Sequence, residues 1–134
     1  MDSLSTRAPY ALAVLRIVAA LLFIAHGTQK LFDFPTMGDM RGDGLGALMI
    51  VAGLLETFGG LLILVGFLTR PVAFLLCGMM AVAYFMAHFP SSVFPALNGG
   101  DAAILFCFVF GYLVFAGPGA WSVDAGRARG TAFA

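Results

Sequence analysis

Charge is what this sequence has least of. Only 10% of its residues are charged, seven basic against seven acidic, and they sum to zero at neutral pH. A soluble domain carries about 25% charged and about 45–50% apolar residues; here the apolar share is 61%. So few charges do not cover the surface of a water-soluble fold of 134 residues. A neutral chain also lacks the electrostatic basis for holding nucleic acid. Cysteine is equally scarce. Cys77 and Cys107 are the two present, too few and too far apart for a disulfide framework or a zinc site, and with no C-x-x-C pair thiol–disulfide exchange is not expected. Counted from opposite ends of their spans, they differ in depth by roughly 10 Å, which puts them beyond disulfide reach. No glycine-rich phosphate loop is present, so the sequence offers no basis for nucleotide or flavin binding.

What remains is apolar sequence, and it falls into four runs. They extend from about Tyr10 to Phe34, Leu45 to Leu68, Pro71 to Phe89 and Gly100 to Ala116. Crossing a hydrocarbon core takes ~20 apolar residues, with a range of about 17–25, so all four qualify. Pro35 to Gly44 reads as a polar loop that includes Arg41. Thr69-Arg70-Pro71 reads as a tight turn, and Pro90 to Gly99 as a longer connection. Gly117-Pro118-Gly119 ends the last run and leaves a short frayed tail. Arg16, His26, Gln29 and Lys30 interrupt the first run, and no small-residue cleavage site follows, so it reads as an uncleaved span. The expected fold is an all-α transmembrane four-helix bundle in a single domain over residues 1–134. A β-barrel would alternate apolar and polar residues instead. Arg7, Arg16, Arg70, Arg127 and Arg129 share one side, against Lys30 and Arg41 on the other. That excess places both termini in the cytoplasm.

An ionisable side chain inside a bilayer is costly and is kept only where it faces protein, water or a partner. In the first span Arg16, Gly27 and Lys30 fall along one stripe, flanked by His26. The second places Glu56 near the midplane, with Gly53, Thr57 and Gly60 on the same narrow face, which suits close helix contact. Tyr84 and His88 end the third span; Asn98 and Asp101 begin the fourth. In a bundle His26, Gln29, Lys30, His88, Asn98 and Asp101 gather at the non-cytoplasmic end. Glu56 lies deeper, where Arg16 or His26 reaches it, and an Arg16–Glu56 ion pair would lock the first two helices. Each residue also has a structural reading. Lys30 snorkels to the interface, Tyr84 and Trp121 are interfacial aromatics, His88 covers helix-end carbonyls and Asn98 caps the fourth helix. Two histidines near one face do not specify a haem or a metal ion.

Several blocks carry a resemblance to a known family. They are Leu15-Arg16, the run from His26 to Phe32 (HGTQKLF), the run from Gly53 to Gly60 (GLLETFGG) and the run from Leu64 to Arg70 (LVGFLTR). Asn98-Gly99-Gly100-Asp101, Gly117-Pro118-Gly119 and Ser122-Val123-Asp124 follow in order. With them the chain resembles the DoxX family of small four-span membrane proteins. The resemblance implies a helical bundle in the bacterial cytoplasmic (inner) membrane. It also implies kinship with the membrane subunit of a thiosulfate:quinone oxidoreductase and with redox-homeostasis complexes.

Quinone chemistry needs an apolar channel for the tail, donors for two carbonyl oxygens and groups that move protons. His26 and Glu56 are the candidate catalytic pair. Arg16, Gln29, Lys30, Tyr84, His88, Asn98 and Asp101 are candidate quinone- or substrate-binding residues. The chain shows no electron-carrying cofactor motif, so a protein partner in the membrane complex is expected to supply electrons, and a homo-oligomer fits equally. The competing expectation is a non-catalytic anchor or assembly subunit whose buried charges only lock its helices.

Overall fold

A computed structural model describes residues 3–36, 38 and 46–131, and among them every regular element is helical. Helix α1 is Ala8–Phe32. Helices α2 and α3 are Ala47–Val65 and Thr69–His88, each with one wider π-helical turn, Leu55–Gly59 and Tyr84–His88. Helix α4 is Asp101–Ala116, and a last helix, α5, is Val123–Thr131. The expected all-helical membrane bundle is what the chain forms. Helices α1 to α3 are long and apolar enough to cross a bilayer. Helix α4 has 16 residues, a rise of ~24 Å against a core of ~30 Å. Most of the loop expected over Pro35 to Gly44, with Arg41, and the expected start of the second span at Leu45 lie outside the described residues.

The helix ends fall where the backbone leaves the right-handed region. Asp33 (φ 55°) closes α1, its N–H bonding to the Gln29 carbonyl at 3.1 Å. Gly66 (φ 67°) closes α2, and the Phe67 N–H reaches back to the Leu62 carbonyl at 3.0 Å. That is the Schellman arrangement, which satisfies carbonyls that a helix leaves open. It ends α2 three residues short of the Leu68 expected from hydropathy.

Burial is inverted relative to a soluble protein. Phe74, Phe108 and Phe115 are 72%, 73% and 83% exposed, while Arg16 is fully buried. Large apolar side chains face outward because lipid is their solvent, and small residues turn inward so that backbones approach closely. α1 and α2 form one pair, α3 and α4 a second. The pairs meet where the Phe23 ring packs on Phe106 and Phe110, centroids 5.2 Å and 4.8 Å apart.

At the end of the bundle opposite His26 and His88, the tail expected to fray is fixed. Arg16 donates to the Trp121 carbonyl at 2.9 Å, its guanidinium pressed against Gly66. The Ala120 N–H bonds to the Pro9 carbonyl at 2.9 Å, and the Asp124 N–H to the Gly66 carbonyl at 2.9 Å. The Asp124 carboxylate accepts the Leu68 and Thr69 amides at 3.0 Å and 2.9 Å, capping α3 from a distant part of the chain. Arg70 donates to the Val114 and Phe115 carbonyls at 2.6 Å and 2.8 Å, closing the end of α4. Helix termini near a bilayer have few water partners for their open backbone groups, so the tail is ordered by supplying them. Burial works against the Asp124 charge, but the bonds from Thr69 and Leu68 and the nearby Arg127 outweigh it and hold its carboxyl below the usual range.

Asp124→Ala is expected to free the tail at a cost of about 1–3 kcal/mol, the worth of hydrogen bonds to a charged group. The single tryptophan, Trp121, packs edge-on against Tyr10 at 5.3 Å and reports this directly by fluorescence. A lowered folded-state pKa contributes stability that is complete above the ordinary carboxylate range and is lost as pH falls through the lower folded value. Wild-type emission should therefore hold from neutral pH down to about pH 4 and shift only below it. The variant should show the shifted emission throughout. Identical emission in the two proteins at neutral pH would contradict the capping role.

Candidate functional site

The site starts from a glycine. A Cβ on Gly27 would lie 2.7 Å from the Thr57 amide nitrogen and 2.9 Å from the Glu56 Cβ, so α1 and α2 touch through backbone here. A Cβ on Gly53 would meet Leu31, and one on Gly60 would meet Ile24, continuing the narrow contact face read from the sequence. Glu56 stands in the π-helical turn of α2, whose Glu56, Thr57 and Gly59 are all buried toward the bundle. Turns of this kind recur at functional sites. Beside Gly27, Lys30 Nζ bonds to Glu56 Oε2 at 2.7 Å, with the side chains only 17% and 7% exposed. The Lys30 ammonium also lies 3.5 Å from the His26 carbonyl.

This overturns two expectations. Glu56 pairs with Lys30 and not with Arg16, and Lys30 turns inward instead of snorkelling. Gly27, where α1 meets Glu56, lies three helical turns from Arg16, a rise of ~16 Å that no arginine side chain spans. An inward carboxylate so near Lys30 is also a better partner than the interface for an ammonium in a low dielectric.

On the facing pair, the π-helical turn of α3 closes with the Phe89 N–H on the Tyr84 carbonyl at 3.0 Å. His88 donates from Nδ1 to the Asn98 carbonyl at 3.0 Å, at the end of the one-turn helix Pro95–Asn98 and not in its own helix. Asn98 ties the connection together. Its amide donates to the Ser92 carbonyl at 2.8 Å and to the Tyr84 hydroxyl at 3.4 Å, and its Oδ1 accepts the Gly100 N–H at 2.7 Å, just ahead of α4. His26 donates from Nδ1 to the Leu22 carbonyl at 2.8 Å. Because a carbonyl only accepts, Nδ1 carries the hydrogen in both histidines, and each neutral ring keeps Nε2 as an acceptor.

Between the two pairs lies a cavity of about 460 Å³. Of the nine residues singled out from sequence, His26, Gln29, Lys30, Glu56 and His88 line it. Tyr84 and Asn98 stand behind His88 and position it. Asp101 is exposed in the first turn of α4, and Arg16 belongs to the opposite end. The sequence reading passed over the rest of the wall, which includes Phe23, Met79, Met80, Met86 and Phe106. Met79, Val82 and Met86 follow a helical i, i+3, i+7 stripe, the signal that marks them as one face. A second, apolar groove of about 550 Å³ runs between α2 and α3 and shares Leu48, Ala52, Met79 and Val82 with the cavity.

Cys77 lines that groove, and its sulfur lies 3.7 Å from the sulfur of Cys107. The expected separation in depth is therefore overturned. It assumed a fourth helix crossing the whole core, whereas α4 is short and its C-terminal end is fastened to the start of α3 through Arg70. From that shared end, the two cysteines stand at rises of ~12 Å and ~13 Å.

The DoxX family profile matches residues 11–89. An uncharacterized protein of Haemophilus influenzae is 42% identical over 128 residues, 92% of this chain and 96% of that protein. The inner membrane protein YqjF of Escherichia coli is 35% identical over 115 residues, 83% of this chain and 87% of that protein. No solved structure matches the chain.

If Lys30 and Glu56 are partners, Lys30→Leu or Glu56→Leu alone leaves an uncompensated charge and should cost about 3–5 kcal/mol, with the double change costing clearly less than the sum. Arg16→Leu should add independently to either. Unfolding in detergent measures all of them, and strictly additive losses for Lys30 and Glu56 would contradict the pairing.

Proposed function

The chain belongs to the DoxX family and is a multi-pass inner-membrane protein, and from that premise we propose that it is a redox-linked membrane subunit that binds a quinone between its two helix pairs. The observation that carries this reading is the cavity, with five polar side chains set into otherwise mainly apolar walls. Small-molecule sites have this form, at ≈ 300–1,000 Å³ with a few convergent polar groups. A bound quinone supplies an acceptor for two electrons and two protons. Toward its carbonyl oxygens Lys30 and Gln29 offer N–H donors, and the bond to Glu56 aims the Lys30 amine inward. His26 and His88 offer Nε2 atoms that accept or return a proton, because backbone carbonyls hold their Nδ1 hydrogens. Phe23, Phe106 and the methionines of α3 exclude water and give an isoprenoid tail flexible apolar contacts. Electrons come from a protein partner, and both termini face the cytoplasm, where five of the basic residues gather.

Purified protein in nanodiscs, titrated with ubiquinone and menaquinone analogues, tests the reading. Wild type should bind saturably. Folded His26→Ala and Glu56→Gln variants should bind at least about ten-fold more weakly, a loss of about 1.4 kcal/mol. A well-folded wild type that binds neither analogue would overturn it in favour of an anchoring role.

A further inference from the structure

We propose that Cys77 and Cys107 form a membrane-embedded dithiol that passes two electrons and two protons to a lipid-soluble quinone and closes as an interhelical disulfide. The Sγ atoms lie 3.7 Å apart on α3 and α4, close enough for a bond to form with small side-chain rotations. Gly111, one turn beyond Cys107, faces the same point of α3, its Cβ position lying at contact distance, 3.5 Å, from the Cys77 sulfur. Both cysteines are free and half-buried. Their positions differ in one respect that assigns their roles. Cys77 lines the apolar groove between α2 and α3, so it meets the oxidant, and Cys107 stands behind it as the resolving thiol.

The position also selects the oxidant. At a rise of ~12 Å from the nearer helix end, Cys77 is within the hydrocarbon and out of reach of charged aqueous disulfides. The groove beside it shares Leu48, Ala52, Met79 and Val82 with the polar cavity, so a quinone ring moving from lipid to that cavity passes the Cys77 sulfur. In the reaction two S–H bonds break and one S–S bond forms. Both electrons and both protons go to the carbonyl oxygens of the quinone, which leaves as the hydroquinone. This inference shares its ligand class with the proposed function but rests on different residues.

The test uses the full chain in nanodiscs, reduced, freed of reductant and kept anaerobic. Decylubiquinone is the probe, because its fully substituted ring has no C–H position at which a thiol would form a stable thioether. Thiols are counted by maleimide gel shift after denaturation, and quinone loss is followed by absorbance. Wild type should lose both alkylatable thiols together and form one hydroquinone per chain. Cys77→Ser and Cys107→Ser should each keep the remaining thiol and form none. Retention of both thiols overturns the proposal: if copper–phenanthroline still closes the pair, the quinone step is wrong, and if it does not, the proximity is wrong. Saturable quinone binding with both thiols retained sinks this inference alone. Thiol loss without saturable binding sinks the cavity reading alone.

Discussion

A carboxylate does not remain charged in hydrocarbon without a cation beside it, and Glu56 finds its cation in Lys30 at 2.7 Å. The geometry around them follows from that requirement. The ammonium reaches Glu56 because α1 and α2 touch at Gly27, and the helices touch because Gly53 and Gly60 continue the same side-chain-free face. With the α1–α2 pair drawn together, the second pair meets it through the Phe23, Phe106 and Phe110 rings, and space opens between the pairs on the Lys30 side. The ion pair thus joins two helices and sets the polar end of a cavity.

The two ends of the bundle use polar groups differently. Around Arg16, Arg70 and Asp124 they answer backbone: a Trp121 carbonyl, the last carbonyls of α4 and the first amides of α3. That end is a clasp, in which side chains close the helix termini. Around His26 and His88 backbone carbonyls hold only one nitrogen of each ring, which leaves the other available to something that is not protein. The contrast separates the Arg16 end, where polar groups close on backbone, from the Lys30 end, where they line the cavity in which we propose a ligand binds.

Much of this architecture was legible in the sequence. Long apolar runs fixed the helices, and small residues around Glu56 marked the α1–α2 contact, because both are local, periodic signals. The sequence pattern gathered His26, Gln29, Lys30, His88, Asn98 and Asp101 at one end with Glu56 deeper, as groups too costly to face lipid, and His26, Gln29, Lys30, Glu56 and His88 line one cavity. What failed depended on relative depth. Arg16 was paired with Glu56 because a stripe along α1 gives direction without height, and the cysteines were separated because α4 was credited with a full crossing. The tail was left loose because its order comes from bonds such as Asp124 to Leu68, 56 residues apart, which no local pattern encodes. The methionine face of α3 was visible as a stripe but indistinguishable from core packing until the facing helices left a gap beside it.

The central claim is that a quinone ring occupies the space beside Lys30 and Glu56. Photolabelling of the protein in nanodiscs with an azido-quinone, followed by peptide mapping, tests it most directly. The account predicts label on Met79, Met80, Met86 or Phe106, with excess unlabelled quinone suppressing it. Label confined to lipid-facing positions such as Phe108 and Phe115, unaffected by competitor, would contradict it.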